Sequence, residues 1–141
     1  MRFRKSNHSI YRTEYHLVWI PRYRRKIFPK GPKEYAQKLL CHLEGLEPDI
    51  EVVKVNVQVD HVHMVIVIPP RFAVAQVVSF IKSQSAKLLK AKFTFLQKLY
   101  TTEGIWSIGY CASSVGLNEK EILHYVEFQE KDDKGQLQIT F

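Results

Sequence analysis

Two pairs of residues in this sequence have types and spacings that suit chemistry. The first is His61 and His63, within Asp60-His61-Val62-His63. Side chains alternate along a strand, so both imidazoles would project from one face, about 7 Å apart. Two neutral nitrogen donors placed in this way can share a divalent cation, with further ligands coming from elsewhere. The plainer alternative is two hydrogen-bonded histidines on a half-exposed strand, and the pair alone favours it. The second pair is Tyr125 and Gln129. At i and i+4 on a helix they share a face, roughly 6 Å apart. A tyrosine hydroxyl can attack a phosphodiester and hold the product as a phosphotyrosine. Its ordinary pKa of about 10 means that it needs a base, or a cation polarising the phosphate. A glutamine carbonyl one turn away could complete a His-His-Gln metal site. Alone, a tyrosine packed on a sheet is the simpler account. Together the two pairs converge on phosphoryl transfer in nucleic acid.

The elements that must position these residues are legible in outline. Residues 13–20 (TEYHLVWI) form a run rich in β-formers that Pro21 ends. Gly31-Pro32 opens a helix in which Tyr35, Ala36, Leu39, Leu40 and Leu43 recur at helical spacing, with Gly45 near its end. From 51 to 59 the period changes to two, with Val53, Val55, Val57 and Val59 on one face and Lys54, Asn56 and Gln58 on the other. Residues 61–68 make another strand, linked too closely for a crossover, so the two should pair as an antiparallel hairpin. Its face opposite the histidines is Val62, Met64, Ile66 and Ile68, apolar throughout and suited to lie under helices.

A second helix is expected over 74–90, with 91–100 extending it, and a fourth strand over 105–114. Asn118 and Glu121 form an N-terminal capping box for a last helix running to about Glu130. The polar KDDKG that follows is expected to fray as far as Gln136. The order β-α-β-β-α-β, plus a final helix, corresponds to an α+β, ferredoxin-like (RRM-like) antiparallel sheet with an added C-terminal helix. One domain over 1–141 is expected, as there is no repeat or linker.

Charge indicates the partner. Residues 1–30 carry nine Lys/Arg against Glu14 alone, and 61–102 carry six with no acid. The net charge of +7 is therefore gathered in two blocks, as expected of a protein that binds a polyanion. Aromatics within those blocks (Tyr23, Phe28, Phe72, Phe80, Phe93, Phe95) suit base stacking, although phenylalanines there also suit a core. Cys41 and Cys111 show no metal or disulfide spacing, the N-terminus has no apolar leader, and no apolar run is long enough to span a bilayer. A reducing, cytoplasmic setting without a membrane is the expectation.

The stretches HLVWIPRYRRKIF (16–28), VDHVHMVIVIPP (59–70), SFIKSQSAK (79–87) and GYCASSVGLNEKEILHYVEFQ (109–129) resemble the single-domain HUH tyrosine transposases of small insertion sequences and their REP-associated relatives. The resemblance covers most of the chain, including the spacing from the histidine pair to Tyr125. It implies that His61 and His63 are metal ligands, with Gln129 as the third, for Mg²⁺ or Mn²⁺. It implies that Tyr125 is the nucleophile, leaving a 5′-phosphotyrosine and a free 3′-OH in single-stranded DNA next to hairpin ends. It also implies a homodimer in which one subunit's tyrosine helix completes the other's site.

Arg22, Arg24, Arg25, Lys26, Lys82 and Lys87 are candidate phosphate contacts, which fix position rather than sequence. No proton acceptor for Tyr125 is evident, and His124 lies about 100° round the helix from it. The chain departs from the family pattern at Val59, where a proline would be expected before Asp60; this affects turn geometry, not chemistry. The alternative is a non-catalytic or host-adopted nucleic-acid binder of RRM-like fold. An RRM would carry stacking aromatics on its third strand, where this chain has HVHMVIVI.

Overall fold

The structure is a computed structural model in which residues 3–135 are described. A small hairpin, β1 (Arg4–Lys5) and β2 (Ile10–Tyr11), precedes the main sheet and was not anticipated from sequence. The sheet consists of β3 (Glu14–Trp19), β4 (Glu51–Gln58), β5 (His61–Val67) and β6 (Cys111–Ser113), in the order β4-β5-β3-β6 with every pairing antiparallel. The helices are α1 (Lys30–Cys41), α2 (Val74–Lys92), α3 (Thr94–Leu99) and α4 (Glu119–Asp133). This is the ferredoxin-like plan with a C-terminal helix added, as expected.

Alternation along the strands divides the molecule into layers. Leu17 and Trp19 of β3, and Val62, Met64 and Ile66 of β5, lie in the main core with α1 and α2. The opposite parity, Val18 and Ile20, meets Ile122 and Val126 of α4 in a second cluster. Thus α4 covers the β3 part of the face that carries the histidines. Its start follows from Asn118, whose Oδ1 accepts from the Glu121 amide at 2.8 Å, while the Glu121 carboxylate accepts from the Asn118 amide at 3.1 Å. Gly45, just beyond α1, adopts φ +85°, a left-handed geometry that disfavours a side chain. Among the described residues, no helix is long and apolar enough to cross a membrane.

Four expectations need correction. The period-two reading of 51–59 fails at its first residue: a bulge between Val52 and Lys54 shifts the register. Val52 therefore packs on the core and Val53 is 49% exposed; Val59 lies in the turn and is 41% exposed. The second helix does not continue to 100. Phe93 is extended (φ −117°, ψ 110°) and separates α2 from α3, its ring set edge-on to Tyr35.

The fourth strand is three residues long rather than ten. The carbonyls of Ser107, Ile108 and Gly109 all turn to the Lys82 ammonium, which strand alternation forbids. Residues 105–107 are tied to the β3 side by the Pro21–Trp106 bridge and by the amide bonds from Arg22 to Ile105 and from Ser107 to Ile20, short of a continuous ladder. Finally, the residues after Glu130 are not frayed through Asp133. They complete α4, because the Asp133 carboxylate accepts from the Tyr23 amide, the Ser107 hydroxyl and the Gln129 carboxamide. Gln136 lies outside the described residues.

Candidate active site

β5 is flanked on both sides, so its register is fixed and the histidines have defined neighbours: His63 stands opposite Val18 on one side and Asn56 on the other. Both histidines line a cleft of about 330 Å³ whose walls are Asn56 and Gln58 of β4 and Glu119 and Leu123 of α4. His61 Nδ1 donates to Asp60 Oδ1 at 2.9 Å. Burial, then the proximity of His16, His61 and Lys54, holds the His63 pKa below its usual range, which keeps the ring neutral as a metal ligand must be. The other half of the expected ligand set is also physically apt: a carboxamide oxygen is a neutral donor. Among the described residues, no cluster of three His, Cys, Asp or Glu side chains forms a complete metal site. Two imidazoles on one strand face and a carboxamide oxygen are donors of types that a divalent cation accepts.

His16, to which the sequence reading assigned no role, sits beside this pair. Its Nδ1 is 3.2 Å from His63 Nε2, and the ring centroids are 5.4 Å apart. Its signal was present in parity: His16 and Val18 share the β3 face that turns out to adjoin the histidine face of β5. Which strand neighbours which is not written in parity, and so the contact went unseen.

Tyr125 and Gln129 are together, as their spacing requires. The Tyr125 hydroxyl donates to Gln129 Oε1 at 3.0 Å, and Gln129 Nε2 donates to Asp133 at 3.0 Å. Gln129 is only 3% exposed, and the absence of a side chain at Gly109 makes its position possible, since a Cβ there would run into Gln129 Oε1. Burial first, then Cys111 and the carboxylates of Asp133 and Asp132, push the Tyr125 phenol well above its ordinary value. Tyr125 lines a separate, larger hollow of about 550 Å³ on α4, with His124 and Phe128. Within one chain, then, the histidine pair and Tyr125 line different hollows, and the buried Gln129 lines neither. The α4 residues over the histidines are Glu119, Ile122 and Leu123.

The candidate phosphate contacts divide. Lys26 and Lys87 are exposed. Lys82 is half-buried, its ammonium held by the carbonyls of Ser107, Ile108 and Gly109, and burial lowers its pKa to about 8. Arg22 donates to the Gly104 carbonyl at 3.2 Å, and Arg25 donates to the Leu99 carbonyl at 3.2 Å while lying over Tyr23 and Tyr100. Arg24 pairs with Asp60 at 2.8 Å and Glu130 at 3.2 Å.

Comparison with known proteins places the chain in a family. The family described as "Transposase IS200 like" matches residues 9–129. The chain is 30% identical over 133 residues to the transposase for insertion sequence element IS200 of Salmonella typhimurium, covering 94% of this chain and 87% of that one. It is 25% identical over 130 residues to the ISDra2 transposase TnpA of Deinococcus radiodurans, covering 92% of each. The crystal structure of a candidate transposase from D. radiodurans R1 superposes with a TM-score of 0.77 at 24% identity, covering 89% of this chain and 97% of that chain, and so shares the fold. The chain belongs to the IS200-like transposases and is a DNA transposase.

Proposed function

We propose that this transposase cuts and rejoins single-stranded DNA at the hairpin-bearing ends of its insertion sequence, through a covalent 5′-phosphotyrosine on Tyr125. The observation that carries the reading is the pairing of His61 and His63 on one sheet face, in a cleft that α4, the helix of Tyr125 and Gln129, partly covers. His61 and His63 would hold Mg²⁺ or Mn²⁺, with Gln129 as a third donor. Bound there, the ion would supply Lewis-acid withdrawal of charge from the scissile phosphate. Tyr125 Oη attacks phosphorus, the P–O3′ bond breaks, and the 3′ oxygen leaves and takes up a proton. Attack by a 3′-OH on the phosphotyrosine reverses the exchange. One phosphodiester replaces another, so no ATP is consumed. The tyrosine proton must be lost on the way, and the raised phenol pKa makes this the step that most needs assistance.

The separation of the two pairs within one chain supports a homodimer in which α4 of one subunit brings Tyr125 and Gln129 to the partner subunit's histidines. The Gln129 carbonyl accepts from the Tyr125 hydroxyl at 3.0 Å and keeps a second lone pair for a cation. Exposed Leu123, Phe128, Ile108 and Val115 provide apolar surface for such a partner. The RRM-like binder reading is disfavoured by a β5 face bearing histidines in place of stacking rings.

The test is a denaturing gel of purified protein with labelled single strands from the element's flanks, with and without Mg²⁺ or Mn²⁺. A protein-linked band that requires metal and vanishes in Tyr125→Phe and His61→Ala is expected. Tight DNA binding without any adduct would favour a binding module.

A further inference from the structure

Beside the histidine pair, the backbone does something that needs explaining. Tyr23 (φ 63°, ψ 19°) and Arg24 (φ 55°) are successive non-glycine residues in the left-handed region, which L side chains disfavour. Asparagine and glycine tolerate that region best, yet a tyrosine and an arginine occupy it. Such residues persist where surrounding contacts over-determine them, and they concentrate at functional sites. Here the contacts are specific. The Tyr23 amide donates to Asp133 Oδ2 at 2.8 Å, and the Tyr23 hydroxyl donates to Glu103 at 2.8 Å. The turn aims the Arg24 guanidinium between two carboxylates, with Nε donating to Asp60 Oδ2 at 2.8 Å and Nη1 donating to Glu130 Oε1 at 3.2 Å.

Asp60 is the centre of this arrangement. Its second oxygen, Oδ1, accepts from His61 Nδ1 at 2.9 Å. Its other oxygen, Oδ2, is held by the Arg24 guanidinium at 2.8 Å, an ion pair that suits a carboxylate. An ionised carboxylate can only accept, so the His61 proton must sit on Nδ1. Nε2 is left as the free donor atom of a ring held in one orientation.

We propose that Asp60 and Arg24 are positioning residues. Asp60 fixes the tautomer and aim of His61, and Arg24 holds Asp60 while cross-linking it to Glu130 on the tyrosine helix. This rests on the reading of His61 as a metal ligand, and it adds to that reading a continuous chain, His61–Asp60–Arg24–Glu130. The chain ends one residue from Gln129. The left-handed turn is what brings the guanidinium to both carboxylates at once. A lysine could neutralise one of them but lacks the planar fork that bonds two acceptors in fixed directions.

The test uses the full chain, free of metal, at a pH where imidazole is neutral, with two readouts. ¹⁵N spectra of the histidine rings report the tautomer, and Mn²⁺ titration followed by electron paramagnetic resonance reports affinity. His61 should be the Nδ1–H tautomer in the wild type. Asp60→Ala should lose that preference and weaken Mn²⁺ binding by about 10–100-fold, the usual effect of removing a carboxylate behind a ligating histidine. Arg24→Ala should weaken binding by less, and Arg24→Lys should recover only part of the loss. Asp60→Asn, which keeps an acceptor for Nδ1 and guards against misfolding of the alanine variant, should retain the tautomer but lose the hold of Arg24. An unchanged tautomer and affinity in Asp60→Ala would overturn the proposal. If the wild type itself binds no Mn²⁺, the metal-site reading fails separately, and the tautomer in Asp60→Ala still decides whether Asp60 positions His61.

Discussion

Replacing Gly109 by alanine tests whether the tyrosine helix is seated by a single missing methyl. The new Cβ would overlap Gln129 Oε1, so the buried carboxamide must swing away. It then loses the bond accepted from the Tyr125 hydroxyl and the bond donated to Asp133, both 3.0 Å. A neutral bond is worth about 1 kcal/mol net and one to a carboxylate about 2 kcal/mol, so Gly109→Ala should cost about 3 kcal/mol. For a chain of this size that is a Tm loss of roughly 10 °C. Gly109 is not among the described glycines of positive φ, so its backbone accepts alanine without strain. In a Gln129→Ala background the clash has no target, and Gly109→Ala should be neutral or stabilise by up to about 1 kcal/mol through unfolded-state entropy. Urea denaturation of the wild type, both single variants and the double variant gives the coupling energy directly. Equal cost of Gly109→Ala in both backgrounds would refute the reasoning, since the penalty would then not pass through Gln129.

Other outcomes follow from the same structure. Asn118→Ala removes the side-chain half of the α4 capping box, the bond accepted from the Glu121 amide, and should cost about 1 kcal/mol in denaturant midpoint measurements, with m unchanged. Because the folded state depresses the His63 pKa, its contribution to stability is present in full above the ordinary value of 6.5. It is lost as pH falls through the depressed folded value, so calorimetry of metal-free protein should show Tm dropping below about pH 6.5, less so in His63→Gln. Lys26→Ala and Lys87→Ala should each reduce the salt dependence of single-strand binding by about 0.7 in log–log slope. Lys82→Met should leave that slope unchanged and lower Tm instead, because its ammonium serves three carbonyls.

What could be read from sequence was whatever depends on local periodicity. Alternation over 61–68 separated the apolar face of β5 from its histidines. Asn118 and Glu121 marked the start of α4 to the residue, because a capping box is a local bond pair. The i, i+4 spacing placed Tyr125 beside Gln129. Where local pattern competes with long-range contact, sequence misled. The bulge after Val52 answers to pairing with β5, and the shortened β6 answers to Lys82 of a helix some 25 residues earlier.

The fold itself, and the side chains gathered at its histidine cleft, divide along the same line. Strand order could be inferred from the succession of elements, since a short link forces a hairpin and a helix permits a crossover. Which side chains meet across neighbouring strands could not. His16 touches His63 across 47 positions, and Arg24 reaches Asp60 across 36 and Glu130 across 106. Charge composition marked the basic blocks, but only packing separated exposed Lys26 and Lys87 from the half-buried Lys82. Sequence by itself determined which residues share a face, because helix and strand periods are properties of the local backbone. Tertiary structure alone decided which faces meet, and with that which histidine, carboxylate and arginine belong to one site, because those choices belong to the packing of the whole chain.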